Sequence, residues 1–189
     1  MPESQLITPV SETAVAELPT SIALQKFLGP TSQRSLQRMF RDPRVLESGE
    51  RSELIACLAE AVEALPTVPE VRVVFGMALC VDLRAQEALS QLREAVKREP
   101  SCYIAQLKLG ELLMRLRICD QAAEHTYHAA TLACSDLQAE LARKQAANIR
   151  QMQREGIERG GYRGLLAWTR KFSRRRSAQS GQPALAVSE

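Results

Sequence analysis

Residues 69–100 read PEVRVVFGMALCVDLRAQEALSQLREAVKREP, and residues 101–134 read SCYIAQLKLGELLMRLRICDQAAEHTYHAATLAC. The shift that carries Gly76 onto Gly110 lays the second stretch over the first. Under it Phe75 falls on Leu109, Leu79 on Leu113, Ala88 on Ala122, Ala95 on Ala129 and Pro66 on Pro100. A fixed period of this size marks stacked supersecondary units. Apolar residues recur at three and four within each stretch, so each unit predicts a pair of helices with a short break. The expected helices run near Pro69 to Cys80, Arg84 to Arg98, Cys102 to Arg115 and Gln121 to Ala133.

The residue types fit two helices in close contact. Glycine in a helix interior costs about 1 kcal/mol against alanine. Gly76 and Gly110 are therefore expected where a neighbouring helix comes too near for a Cβ. Ala88 and Ala122 permit the same closeness from the second helix. Phe75, Leu79, Leu109 and Leu113 fill the space around them. Pro69 suits a first helical position, and Pro100 ends a helix and turns the chain. Ser101 is a candidate N-cap for the helix that follows.

These positions resemble the tetratricopeptide repeat (TPR) pattern: a large apolar residue and Gly, a large residue three later, then Ala, a large residue, Ala and Pro. The first copy, 69–102, supplies Phe75-Gly76, Leu79, Ala88, Leu92, Ala95 and Pro100. The second, 103–136, supplies Leu109-Gly110, Leu113, Ala122 and Ala129, but departs at Thr126 and at Cys134, where Pro is usual. Arg72 and Gln106 stand where the family often has tryptophan. A degenerate copy is expected over about 35–68, with Leu54, Leu58, Ala61 and Pro66 in register and Asp42 in the glycine slot. The resemblance implies an all-α, right-handed α-solenoid of antiparallel helix pairs.

Stacked repeats need capped ends. Asp136 to about Glu155 is the expected C-terminal capping helix, with Ser135 as its N-cap, Leu137, Leu141, Ile149 and Met152 facing inward, and Arg143, Arg150 and Arg154 facing solvent. Upstream, short helices are expected at Ser21 to Leu28, capped by Thr20 and closed by a left-handed Gly29, and at Ser32 to Phe40. A longer one runs from Glu50 to Leu65. The helical domain thus spans 20–158. Residues 1–19 read as a disordered arm, and 159–189 as a basic Gly/Arg-containing tail with a short amphipathic helix expected at Leu165 to Arg175 and a flexible end from Ser177.

The resemblance also implies a groove lined by the first helix of each repeat. Register places Val73, Met77, Cys80 and Val81 there from the first copy, and Leu107, Glu111, Met114 and Arg115 from the second. This surface reads as largely apolar, and suits a peptide or an amphipathic helix of a protein partner. A neighbouring piece of the chain, such as residues 21–28, is the competing occupant. Some family members grip a C-terminal carboxylate with basic and amide side chains. Val73, Met77, Leu107 and Glu111 occupy those places here, which argues against a carboxylate clamp. The function implied is an adaptor or assembly factor, with a small secretion-type chaperone as the alternative.

Charge is unevenly spread. Between Arg143 and Arg176 stand 11 Lys+Arg and 2 Asp+Glu, while the whole chain has a net charge of only +3. The tail residues Arg159, Arg163, Trp168, Arg170, Lys171, Arg174, Arg175 and Arg176 combine one RGG-type element with an amphipathic basic stretch. They raise a rival reading of nucleic-acid or anionic-membrane binding. Five cysteines form no CxxC and no disulfide framework, which points to a reducing, cytoplasmic setting. His125 and His128 share a helix face, but Cys119 and Cys134 lie near opposite ends of that helix, too far apart for one zinc ion. No P-loop, G-x-S-x-G or H-E-x-x-H occurs, so neither an enzyme nor a metal or cofactor is expected.

Overall fold

The computed structural model describes residues 22–42 and 45–157. Among them are eight helices: α1 (Ile22–Phe27), α2 (Pro30–Arg41), α3 (Ser48–Ala64), α4 (Pro69–Val81), α5 (Ala85–Arg98), α6 (Tyr103–Arg115), α7 (Cys119–Leu132) and α8 (Asp136–Arg154). The pairs α4/α5 and α6/α7 make the most extensive contacts, and the first helices α4 and α6 also touch directly. This is an all-α solenoid, as the repeat in the sequence implies.

The repeat extends to the backbone. Just past the end of α4 stands Leu83 at φ 61°, and just past the end of α6 stands Arg117 at φ 59°, two positions that the repeat superposes. In both places the chain closes in the same way. Leu83 N–H bonds the Cys80 carbonyl and Arg84 N–H the Leu79 carbonyl; Arg117 and Ile118 do the same to Met114 and Leu113. That pair of bonds is the Schellman closure, which satisfies carbonyls left open at a helix end. The turn between repeats also recurs upstream. Val68 N–H bonds the Leu65 carbonyl at 3.2 Å, and Cys102 N–H bonds the Glu99 carbonyl at 3.1 Å.

Both glycines sit where a neighbour approaches. A Cβ on Gly76 would lie 2.9 Å from Leu92 Cγ; one on Gly110 would lie 2.7 Å from both Thr126 Oγ1 and Gln145 Nε2. One core runs from Leu24 in α1 through Leu58, Val71, Leu79, Leu92, Leu109 and Leu113 to Ile149 in α8.

Several boundaries differ from expectation, each for a local reason. Gly29 is extended (φ −64°, ψ 163°) and precedes α2, which begins at Pro30. The turn there is held by the Gln33 side chain, whose Nε2 donates to the carbonyls of Gln25 and Leu28. α6 is preceded by Cys102 with no side-chain cap, because the Ser101 hydroxyl bonds the Glu99 carboxylate instead. α2 ends at Arg41, so it sits several residues ahead of the register of a first helix over 35–68. Ser135 does cap α8, accepting from Gln138 N–H at 3.2 Å. Leu137 is 38% exposed and does not face inward. Ala142 and Gln145 are buried in its place. Thr20, the arm 1–19 and the tail 159–189 lie outside the described residues.

Candidate partner-binding face

The face in question is where α4 and α6 lie side by side. Of the eight residues that register placed there, Val73 is fully buried and Leu107 nearly so. Leu107 packs with Ala129 and Ala142 in a small cluster under α8, and its carbonyl accepts from Gln145 Nε2 at 3.2 Å. Stacking of the next first-type helix closes this position. Met77, Cys80, Val81 and Met114 are half-buried and pack against the core from its edge.

Charge enters this face in a form that the apolar reading does not contain. Glu111 accepts from Lys108 Nζ at 2.9 Å and from Arg115 Nη2 at 2.7 Å. Burial alone would raise the Glu111 pKa, but the two cations and their hydrogen bonds hold it below the ordinary carboxylate value. Lys108 is buried along its length, and the Arg115 side chain remains 58% exposed. The triad therefore carries one net positive charge, presented at Arg115. Lys108 does not stand out in the sequence because its spacing to Glu111 is ordinary for a helix surface pair. Its burial is set by the neighbouring helix.

Cys80 is half-buried on this face. Burial pushes its thiol up to about 11, with smaller effects from Arg115, Glu111 and Lys108. At neutral pH the sulfur stays protonated and is a poor nucleophile. Cys102 is likewise raised by burial.

A second polar motif ties the helices within each repeat. Arg72 Nη1 donates to Gln91 Oε1 at 2.9 Å, and in the next repeat Gln106 Oε1 meets His125 Nδ1 at 2.8 Å. The repeat superposes the two pairs, Arg72 on Gln106 and Gln91 on His125. Gln106 Nε2 donates to the Pro100 carbonyl, so its Oε1 is the acceptor and His125 Nδ1 carries the proton. Burial lowers the His125 pKa. The residues at the family's usual tryptophan place thus make a hydrogen bond across the pair. Cys119 is buried and its Sγ lies 3.6 Å from the Ile157 carbonyl, while Cys134 is exposed. Among the described residues no three His, Cys, Asp or Glu side chains are grouped to hold a metal, and no helix is long and apolar enough to cross a membrane.

No protein-family model matches the sequence, and no curated protein matches it. Solved structures do match the fold. The first TPR domain of Spaghetti (RPAP3), bound to the HSP90 peptide SRMEEVD, is 20% identical, with a TM-score of 0.50 over 65% of this chain and 94% of that one. The first TPR domain of human RPAP3 is 16% identical, with a TM-score of 0.50 over 66% of this chain and 93% of that one. The chain therefore has the fold of a tetratricopeptide-type helical solenoid, in agreement with the repeat that its sequence displays. The basic-tail residues Arg159, Arg163, Trp168, Arg170, Lys171, Arg174, Arg175 and Arg176 lie outside the described residues.

Proposed function

We propose that this chain is a protein-interaction module that holds a peptide or short helix of a partner protein along the α4/α6 face. The observation that carries this reading is the half-buried edge of Met77, Cys80, Val81 and Met114 beside the Lys108–Glu111–Arg115 triad. Methionine side chains adapt to the shape laid on them, and an apolar strip with one cationic rim suits an amphipathic segment. The fold is one in which a similar structure carries a bound peptide. The segment taken here differs in kind from an acid-ended peptide. Val73 and Leu107 are closed apolar positions, Met77 is apolar, and the Glu111 carboxylate already holds the two cations. The protonated Cys80 thiol and the hydrogen-bonded His125 favour binding over catalysis.

A test is panning of a peptide-display library against the folded chain, then binding of the selected peptides to variants. Met77→Glu with Met114→Glu is expected to lose binding by about a hundredfold, the scale of two disrupted apolar contacts. Arg115→Gln, which removes the exposed charge and keeps a donor for Glu111, is expected to lose about tenfold. Retained capture by both variants, with helical circular dichroism unchanged, rules this face out.

A further inference from the structure

A different surface has chemistry that the groove does not use. α8 packs inward through Ala142, Gln145 and Ile149, and turns Arg143, Lys144, Ala147, Asn148, Arg150 and Arg154 to solvent. At about 100° per residue, Arg143, Arg150 and Arg154 fall within a sector of about 40° and span about 16 Å of the axis. Five of the ten other described arginines have a carboxylate, and one of these, Arg51, meets Asp82 at 3.5 Å. Arg38, Arg84, Arg98 and Arg115 each pair with a Glu at 2.8 Å or less. On α8 Glu140 is shared loosely by Arg143 at 3.9 Å and Lys144 at 3.6 Å. Glu155 accepts from Gln151. Arg150 and Arg154 pair with no carboxylate among the described residues.

We propose that the outer face of α8 is a docking surface for the phosphodiester backbone of a nucleic acid. The charge is a row with no apolar anchor, whereas a protein interface needs a buried aromatic or aliphatic centre. A membrane-surface helix needs a free apolar face, and that of α8 is spent against α6 and α7. A backbone needs only spaced cations: one strand presents a charge about every 3.4 Å, so about 16 Å of helix faces about five of them. Arginine is the residue here, and its planar fork matches phosphate in two hydrogen bonds. The arginine bias is also present in the sequence: of the 11 Lys+Arg between Arg143 and Arg176, 9 are Arg. This surface stands apart from the α4/α6 face, and either reading holds without the other.

The experiment measures anisotropy of a short fluorescein-labelled RNA of mixed sequence with the full chain, over a salt series. The comparison variants are Arg150→Glu/Arg154→Glu and, as an equal charge change elsewhere, Arg34→Glu/Arg41→Glu on exposed positions of α2. The expected result is binding by the wild type, a loss of about tenfold or more in the α8 variant, and a salt slope lower by about 1.4, which is about 0.7 for each of two phosphates. The α2 variant stays within about threefold, a bulk-charge effect alone. Because both sites are exposed, thermal unfolding is expected to coincide for all three proteins. Equal losses in the two variants, no loss in the α8 variant, no RNA binding by the wild type, or binding confined to phosphatidylserine vesicles each overturns the proposal.

Discussion

The two repeats share a backbone almost residue for residue, yet they solve their closest approach differently. In the first, Gly76 rests against Leu92, an apolar contact. In the second, Gly110 rests against Thr126 and Gln145, and Gln145 Nε2 donates to Thr126 Oγ1 at 2.7 Å and to the Leu107 carbonyl at 3.2 Å. The residue that breaks the apolar pattern, Thr126, is almost fully buried. It is buried because a third helix brings its own polar partner. The difference teaches that departures from a repeat pattern are read from what packs next. Repeat one is followed by a repeat with a matching apolar face. Repeat two is followed by α8, which docks partly through hydrogen bonds: Gln145 inside, Tyr103 Oη to the Gln138 carbonyl at 2.8 Å, and Gln153 to Asp120 at 3.1 Å.

The sharpest way to break this comparison is to truncate each contact. Leu92→Ala leaves a cavity under Gly76 and is expected to cost about 2–5 kcal/mol in urea unfolding. Gln145→Ala leaves the Leu107 carbonyl without this donor and is expected to cost about 1–3 kcal/mol. Thr126→Val keeps the shape and removes the acceptor. Combined with Gln145→Ala in a double-mutant cycle, it should show a coupling of about 0.5–2 kcal/mol. Additive losses at 126 and 145 would mean that α8 docks by area alone, and that the polar key has no energetic content.

A smaller effect tests whether the shared backbone is strained. Leu83 and Arg117 hold the same left-handed geometry, and Leu83 is 90% exposed. An L side chain there costs about 1–2 kcal/mol, while glycine gives back roughly half of that in unfolded-state entropy. Leu83→Gly and Arg117→Gly are each expected to raise stability by about 0.5–1 kcal/mol, and to add, since they sit in separate turns. A loss at either site in thermal or urea unfolding would show that the turn is held by its side chain.

The helix pairs were legible because the signal is local. Gly76, Gly110, Ala88 and Ala122 show a close approach within one hairpin, and one shared shift links them. What was not legible depends on which helix covers which face. Periodicity marks Leu137 as apolar but cannot tell that Ala142 and Gln145 take the inner side of α8. Ser101 has the chemistry of an N-cap, but Glu99 two residues earlier competes for its hydroxyl. Around the proposed partner-binding face, register picked out Met77, Cys80, Val81 and Met114, which are half-buried. It did not show that Val73 and Leu107 are closed, or that Lys108 is folded under Glu111. Each of these needs a contact between residues far apart in the chain, which no spacing rule contains.

The least conspicuous difference between the repeats is that one of them titrates. Arg72–Gln91 carries no group that changes charge near neutrality, whereas Gln106–His125 does. Burial, with help from His128 and Arg93, lowers the His125 pKa below its ordinary value of 6.5, against the opposing pull of Glu124. The unfolded chain therefore takes up a proton before the folded one does. Stability rises with pH wherever the unfolded state binds more protons. It is thus expected to be complete above about pH 7 and to fall as pH drops through 6.5. The fall is modest because the ring is only partly buried. His125→Gln makes the second repeat like the first and keeps a side chain able to meet Gln106. Urea unfolding of both proteins between about pH 7.5 and about pH 5.5 should give a slope in the wild type that is absent or halved in the variant. Glu111 does not confuse this window. Its lowered pKa means that its contribution is present above pH 4.5 and is lost only below it. Identical slopes in the two proteins would place the proton uptake elsewhere, and would leave the Gln106–His125 bond as a neutral equivalent of Arg72–Gln91.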